Sequence, residues 1–400
     1  MVSFEGAEDL WATADANGAR YIALTFVGSA ELGGEKISSF DNDSGDILVA
    51  KFDSDCELQW WRVYGAPYLQ RARAISIRND GEIWLAGEVT VGIVLDPHTL
   101  TGSGGFVARI SSEGDVLSAE LFDGISIERV APAPDDGLLL LTDDNGTLGT
   151  DLTFRRLDPL GAEIWSAPFD GDNLHFAFGA DGRIAGVASF DFNGDLDLSQ
   201  VGGPVLTVGE GASHTHAYLF LLDGMGQYVD GHQLDAQNVG IQSLHGDDRG
   251  GYVVAATVVG DVAVDGQVSL PVGTGNDVWL GRLAPNLAVT TIGRLGVVGS
   301  DSAPVSGRDI SVAAAGPAEG GERMLVWSGG SISDGNGAPF EIEGDSTGAF
   351  QYLLELDDAA ELLDARPILR AEAWSLPEHN GHSAGVVHLE SNSTLRLFSP

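Results

Sequence analysis

The sequence has little cysteine and little lysine. Cys56 is the single cysteine, so neither a disulfide within the chain nor a thiolate metal cluster can form. We expect this thiol to be buried or idle in a hairpin turn rather than reactive. Only Lys36 and Lys51 are lysines among 20 basic residues, which face 59 acidic ones and leave a formal charge of -39. Such a surface repels phosphate backbones and anionic lipid head groups, which argues against nucleic acid and membranes as partners.

Long apolar runs are also missing. No segment of about 18 apolar residues occurs, so we expect no membrane insertion. The start of the chain shows no basic region followed by an apolar one, so we expect no signal segment in the chain as given. A hydrophobic content of 43% without a charge-rich block argues against disorder. The acid excess therefore indicates a folded protein suited either to binding cations or basic partners or to a salty medium.

A hairpin pattern recurs along the chain. Residues 45–65 contain an apolar run, a turn, and a second run that ends in two tryptophans, a tyrosine and a glycine, which is the outline of a β-hairpin. The outline returns at 105–124, 153–171, 217–234, 278–295 and 350–369.

A short turn of acidic residues, Asn and Gly precedes an apolar strand in each repeat, and these turns recur about every 60 residues. The turns are 15–18, 79–81, 135–137, 181–182, 247–250, 319–321 and 379–381. One strand before the turn, one after it and the two strands of the hairpin make four strands per repeat. Four antiparallel strands repeated in this way predict a β-propeller blade.

We therefore predict an all-β, seven-bladed β-propeller of four-stranded antiparallel blades that occupies residues 1–400 as one domain. The last repeat is one strand short, and residues 2–6 resemble the end of a fourth strand. We predict that this N-terminal strand completes the last blade and closes the ring, which removes an open sheet edge. The predicted blades are 7–65, 66–124, 125–171, 172–235, 236–296, 297–370, and 371–400 with 1–6.

Most repeats carry a long insertion between their second and third strands. The insertions are 28–45, 90–104, 190–215, 259–275 and 329–348, whereas the third repeat has only 143–150. We expect them to emerge as loops on one face of the propeller. Because loops on a rigid scaffold commonly carry recognition, we predict a protein or carbohydrate ligand there.

The first two repeats resemble a known family. Residues 44–53 (SGDILVAKFD), the following Leu58-Gln59-Trp60, and the strand 81–87 (GEIWLAG) are similar to the bacterial seven-bladed β-propeller repeat of the SBBP type. The resemblance is carried by residues 10–125. It implies the propeller fold and a location in the cell envelope or outside the cell, and it implies no activity.

Candidate catalytic residues are few, and none forms a recognised constellation. Gly102-Ser103-Gly104 is the nearest approach to a nucleophile elbow of the G-x-S-x-G type, but it lies in a predicted loop and has a structural explanation. His214 and His216 would share one side of a strand, and His379 and His382 flank a turn. Either pair has a plausible spacing for metal ligands, but exposed loop histidines are the favoured explanation of both.

Two acidic loops are the better candidates for a cation. Residues 41–46 (DNDSGD) and 191–197 (DFNGDLD) supply the carboxylate and carbonyl oxygens that Ca²⁺ prefers. Neither loop has the spacing of an EF-hand, and solvated turn carboxylates are the default explanation of both. We assign no catalytic, cofactor-binding or metal-binding residue from the sequence, and Ca²⁺ is the one cation considered.

The sequence therefore favours a non-catalytic binding or scaffold propeller, monomeric and acidic, over its alternative. That alternative is a propeller enzyme, most plausibly a hydrolase with its site at the central channel, where acids and a base would have to converge.

Overall fold

The computed structural model describes residues 2–4, 7–15, 17–32, 34–40, 44–144, 152–169, 171–190, 195–207, 216–236, 238–246, 250–259, 262–265, 267–270, 276–298, 310–318, 321–328, 331–333, 350–357, 362–368, 387–390 and 394–397. Two compact units divide the chain. The first comprises Met1–Ser166 with Arg370–Pro400, and the second comprises Ala167–Leu369.

The described part of the chain is almost entirely β-strand. The strands up to residue 169 are β1 (Val2–Phe4), β2 (Ala7–Ala14), β3 (Arg20–Phe26), β4 (Ser29–Leu32), β5 (Glu35–Ser38), β6 (Asp46–Phe52), β7 (Leu58–Tyr64), β8 (Gln70–Ile77), β9 (Ile83–Val89), β10 (Gly92–Leu95), β11 (His98–Thr101), β12 (Gly104–Ile110), β13 (Val116–Asp123), β14 (Ser126–Pro132), β15 (Leu138–Asp143), β16 (Leu152–Leu157) and β17 (Glu163–Phe169).

The later strands are β18 (Asp172–Phe178), β19 (Ile184–Phe190), β20 (Leu196–Asp197), β21 (Val205–Leu206), β22 (His216–Leu222), β23 (Tyr228–Asp235), β24 (Asn238–Gly246), β25 (Tyr252–Val259), β26 (Val262–Val264), β27 (Gln267–Leu270), β28 (Asn276–Leu283), β29 (Val289–Val298), β30 (Ile310–Ala318), β31 (Gly321–Ser328), β32 (Ser331–Ser333), β33 (Phe350–Asp357), β34 (Leu362–Ile368), β35 (Val387–Glu390) and β36 (Thr394–Leu397). A short 3-10 helix, Ser199–Val201, lies between β20 and β21.

Six sheets each contain four strands of one repeat in chain order, so the first and fourth strands lie at opposite sides of the set. The orders are β2-β3-β6-β7, β8-β9-β12-β13, β14-β15-β16-β17, β18-β19-β22-β23, β24-β25-β28-β29 and β30-β31-β33-β34. The predicted hairpins form in the expected places; for example, Ala217 pairs with Leu234 and Val278 with Leu295. The prediction of an all-β chain built from four-stranded antiparallel sheets is therefore confirmed.

A further sheet joins strands from distant parts of the chain, in the order β35-β36-β1-β4-β5. Val2 pairs with Leu395 and Ser3 with Thr394, while the other side of β1 pairs with β4, with Val2 opposite Leu32. Residues 5 and 6 of the predicted strand lie outside the described residues, as does the predicted first strand of the last repeat.

The insertions correct one expectation, because the structure forms strands where the sequence analysis expected loops. The hairpin β4-β5 adds to β1, the hairpin β26-β27 adds to β23, and β32 adds to β29. In each case the insertion extends the sheet of the preceding repeat. Leu32 and Ile37 explain the first case, since both are buried against Ile22, Leu24 and Leu48.

One five-residue loop closes many of the hairpins. In the loop 53–57, the Asp53 N–H donates to the Glu57 carbonyl and the Cys56 N–H donates to the Asp53 carbonyl, both at 3.0 Å. The Asp53 carboxylate accepts the N–H groups of Asp55 and Glu57. The fourth position has positive φ, as at Gly18, Gly81, Gly161 and Gly226. This geometry is a turn followed by a left-handed residue, so a side chain that caps the loop and a glycine at the fourth position are favoured.

Tryptophan side chains connect neighbouring sheets of the first unit. The Trp60 indole N–H donates to the Ser112 carbonyl at 2.8 Å, and that of Trp84 donates to the Asp136 carbonyl at 3.0 Å. Both acceptors lie in the five-residue loops of the next sheet. The apolar part of each ring is removed from water while its polar N–H stays satisfied, which suits an indole.

Cys56 occupies the fourth loop position with φ of 63°, where an L residue is strained. We predict that Cys56→Gly raises the free energy of unfolding by about 0.5–1 kcal/mol, because glycine adopts this conformation without steric cost. Chemical denaturation measures the change. Cys56→Ala is the control, since it removes the thiol and keeps the strain; equal stabilisation by both variants would contradict the prediction.

Candidate functional site

The link between the first two repeats exposes a tyrosine on a strained backbone. Tyr68 has φ of 81°, a left-handed conformation that is uncommon for a bulky residue, and its side chain is 60% exposed. Gln70 holds this link in place, since its buried side chain accepts the Ala66 N–H at 3.1 Å and donates to the Gly92 carbonyl at 3.2 Å. A fixed scaffold therefore supports the tyrosine.

A second exposed aromatic residue, Phe40, has its backbone connected to this link through Asp46. Phe40 is 66% exposed, and its N–H donates to the carboxylate of the buried Asp46. Gly65 packs against the same carboxylate, where a Cβ would lie 2.3 Å from Asp46 Oδ1. Only glycine fits there. The backbone of Phe40 is thus anchored at the beginning of the Tyr68 link.

The insertion hairpin β10-β11 borders the link on its other side. The Val94 N–H donates to the Gly65 carbonyl at 3.3 Å, and the Thr90 N–H donates to the Leu69 carbonyl at 3.1 Å. Val91 and Val94 are both about half exposed. We call Phe40, Tyr68, Val91 and Val94 the aromatic surface. It offers ring faces for stacking and apolar contact, which suit a sugar ring or an apolar side chain of a partner.

The first strands of the sheets, which the hydrolase alternative would use, have a different character. The first strands of several sheets carry a β-bulge against their second strands, at Glu8/Leu10, Ala72/Ala74, Ile127/Arg129, Asp172/His175 and Ile241/Ser243. A bulge redirects side chains and twists an edge strand away from unwanted pairing. This recurrence has a structural explanation, and it also marks where a ligand would meet polar residues.

Charged side chains of both signs lie at these bulges. Arg73, the extra residue of β8, forms an ion pair with Glu88 at 2.7 Å. Glu128 and Arg129 are adjacent at the β14 bulge, and Glu128 is exposed. The enclosing protein lowers the pKa of the Arg129 guanidinium, and the neighbouring Glu128 opposes that change. At the bulges that the structure describes, these charged side chains pair with each other or lie at the surface, and no nucleophile is hydrogen-bonded to a base there.

The acidic loops are only partly described. Residues 41–43 and 191–194 lie outside the described residues. Asp46 is buried, and its carboxylate accepts the Phe40 N–H. The Asp197 carboxylate accepts the Ser199 N–H at 2.7 Å. Hydrogen bonds from the Ser199 side chain, and secondly from its backbone, lower the pKa of Asp197. Within the described ranges, no group of three His, Cys, Asp or Glu residues could hold a metal ion.

The other sequence candidates are dispersed. His214, His379 and His382 lie outside the described residues, and the His216 ring lies 5.6 Å from the Phe190 ring. Cys56 Sγ lies 3.1 Å from Arg20 Nη1, at the edge of a hairpin loop. Gly102-Ser103-Gly104 joins β11 to β12, and the Ser103 N–H donates to the Asp123 carboxylate at 3.3 Å.

Sequence reasoning missed the aromatic surface. The only signal at Tyr68 is its place after Pro67 in a short link between repeats, and proline commonly marks a turn. Phe40 lies in an insertion that was treated as one undivided loop. Neither residue belongs to a spacing motif, and only the folded structure shows that Asp46 anchors the backbone of Phe40 and that Gln70 anchors the link that carries Tyr68.

Comparisons with known proteins identify no relative by sequence. No protein-family model matches the chain, and no curated protein matches it significantly. The resemblance to the SBBP-type repeat therefore stays a prediction. Within the described part of the chain, no helix has the length and apolar character needed to cross a membrane.

Solved structures similar to this chain include propellers. The β-propeller domain of the Trilobed protease from Pyrococcus furiosus shares 11% identity, covers 99% of this chain and 95% of its own, and has a TM-score of 0.48. The Dos1 propeller shares 10% identity over 97% and 90% of the two chains, with a TM-score of 0.46. An acylaminoacyl peptidase shares 12% identity over 98% of this chain and 50% of its own, with a TM-score of 0.48. At these values the likenesses transfer neither activity nor ligand.

Proposed function

We propose that the sheets are the seven blades of one closed β-propeller that spans residues 1–400. The support is the repeated order of four antiparallel strands and the pairing of β1 with β36. In this proposal β1 is the fourth strand of the last blade, and the ring has no open edge at that point.

Closure can be tested by a disulfide across β1 and β36. Ser3 and Thr394 are paired residues, and paired residues of antiparallel strands approach within the range that a disulfide spans. We predict that Ser3→Cys with Thr394→Cys, in a Cys56→Ser background, cross-links on oxidation and raises the melting temperature. Mass spectrometry and thermal melts measure the two effects. Phe4→Cys with Thr394→Cys is the out-of-register control; equal cross-linking of both pairs, or none of the first, would contradict closure.

We further propose that the protein is a non-catalytic binding or scaffold module whose ligand, a protein or a carbohydrate, docks on the aromatic surface. The observation that carries this proposal is the strained Tyr68, with φ of 81° and 60% exposure. A left-handed tyrosine costs about 1–2 kcal/mol, and such strain persists where function requires it. The module would act at the cell surface or outside the cell, as the family resemblance implies. We propose separately that it is a monomer.

Substitutions in the aromatic surface can separate effects on ligand binding from effects on folding stability. We predict that Tyr68→Gly raises the free energy of unfolding by about 1 kcal/mol, because it removes the strain, and weakens ligand binding. Phe40→Ala with Tyr68→Ala is expected to weaken binding about tenfold or more, since each aromatic contact contributes on the order of 1 kcal/mol. A glycan array followed by titration calorimetry measures the carbohydrate branch, and photo-crosslinking from position 68 measures the protein branch.

Leu160→Ala is the matched control, because Leu160 is 71% exposed at a loop away from this surface. Binding that falls equally in the control would contradict the proposal. Hydrolytic turnover that is abolished by Glu128→Gln while both aromatic residues are intact would instead favour the second candidate, a hydrolase at the bulged first strands.

We propose that cations stabilise the acidic surface and that Ca²⁺ is the ion bound by the loops 41–46 and 191–197. The prediction is that CaCl₂ at millimolar concentration raises the melting temperature more than NaCl of equal ionic strength, because clustered oxygen ligands favour the divalent ion. Asp195→Asn should reduce the difference, and Asp55→Asn, which changes an exposed turn acid elsewhere, should not. An equal rise with NaCl would show adaptation to salt instead.

A further inference from the structure

The fourth-strand edges of the sheets are protected in most repeats. β1 is covered by β4, β23 by β26, and β29 by β32. Gly65, the residue that follows β7, forms an isolated β-bridge with Val94 of the β10-β11 hairpin. An added strand occupies the free backbone groups of an edge and prevents pairing with another chain.

Two further fourth strands carry a proline. Pro168 lies in β17 and Pro367 lies in β34. Proline lacks the N–H that an incoming strand would use, so it is typical of edge strands that must not pair. These two edges are therefore protected by their sequence rather than by a covering strand.

β13 has neither protection. Its sequence, VLSAELFD, contains no proline, and among the described residues no strand pairs with the side of β13 that faces away from β12. The insertion that corresponds to the covering hairpins is the short segment 143–150, of which 145–150 lie outside the described residues. Leu117 of β13 is 43% exposed.

We propose that β13 is a docking edge that pairs with a short, extended, basic segment of a partner protein. The form of the occupant follows from the other edges of this chain, which accept strands of three or four residues such as Ser29–Leu32 and Val262–Val264. Backbone hydrogen bonds supply the affinity in such strand addition, and the side chains supply the selectivity.

The charge of the edge selects a basic occupant. Glu113, Asp115, Glu120 and Asp123 lie on or just before β13, and no lysine or arginine occurs from 110 to 128. Arg62 Nη2 lies 3.9 Å from Asp115 Oδ1, and the Asp123 carboxylate accepts the Ser103 N–H. The exposed Glu120 is therefore the acid that we assign to the partner. A second copy of this chain is disfavoured because each copy carries a formal charge of -39.

The test uses a capped eight-residue peptide of alternating lysine and valine, with a peptide of alternating glutamate and valine as its counterpart. We expect the basic peptide to bind in calorimetry and to slow amide hydrogen exchange across 116–123 by about tenfold. Glu120→Lys should weaken binding roughly tenfold, because it replaces an attraction by a repulsion at the edge.

Glu57→Lys is the matched control, since it makes the same charge change at an exposed loop position outside β13. Binding that falls equally in both variants, binding without slowed exchange at 116–123, or no binding would overturn the proposal. A dimer that forms without peptide and protects 116–123 would also overturn it, and would identify a second copy as the occupant.

Discussion

The five-residue loop places the backbone carbonyls that hold neighbouring sheets together. A capping side chain at its first position and a left-handed residue at its fourth position shape each loop. Trp60 and Trp84 then donate to carbonyls within these loops. Local turn chemistry therefore determines packing between sheets. Part of the large acid content is structural, because loop aspartates such as Asp158 and Asp223 accept backbone N–H groups.

The insertions cover sheet edges and also contribute residues to the aromatic surface. Their short strands extend the sheet of the preceding repeat, so they are part of the scaffold and not only loops on it. The same arrangement brings the hairpin β10-β11 beside the Tyr68 link. Buried polar side chains, Asp46 and Gln70, satisfy the backbone groups at this junction. These hydrogen bonds offset the cost of removing the two polar side chains from water.

The main elements were predictable from the sequence because their signals are local. The hairpin in 45–65 and the glycine turns combine alternating apolar residues with residues that allow positive φ. The short strands β4 and β32 were not predicted, since three or four residues carry no clear period and their pairing depends on a distant edge. The bulge at Arg73 and the conformation of Tyr68 have no signature in the residues themselves. Both depend on contacts that exist only after the sheets have formed.

Where the insertion of one repeat covers the edge strand of another, the two repeats depend on each other and are not interchangeable. Removing the first, fifth or sixth repeat would also remove the strand that covers β1, β23 or β29, so an array shortened there would be prone to aggregation even if every remaining hairpin folded. Gain or loss of one of these repeats would have to include its neighbour, with each insertion inherited together with the strand that it shields.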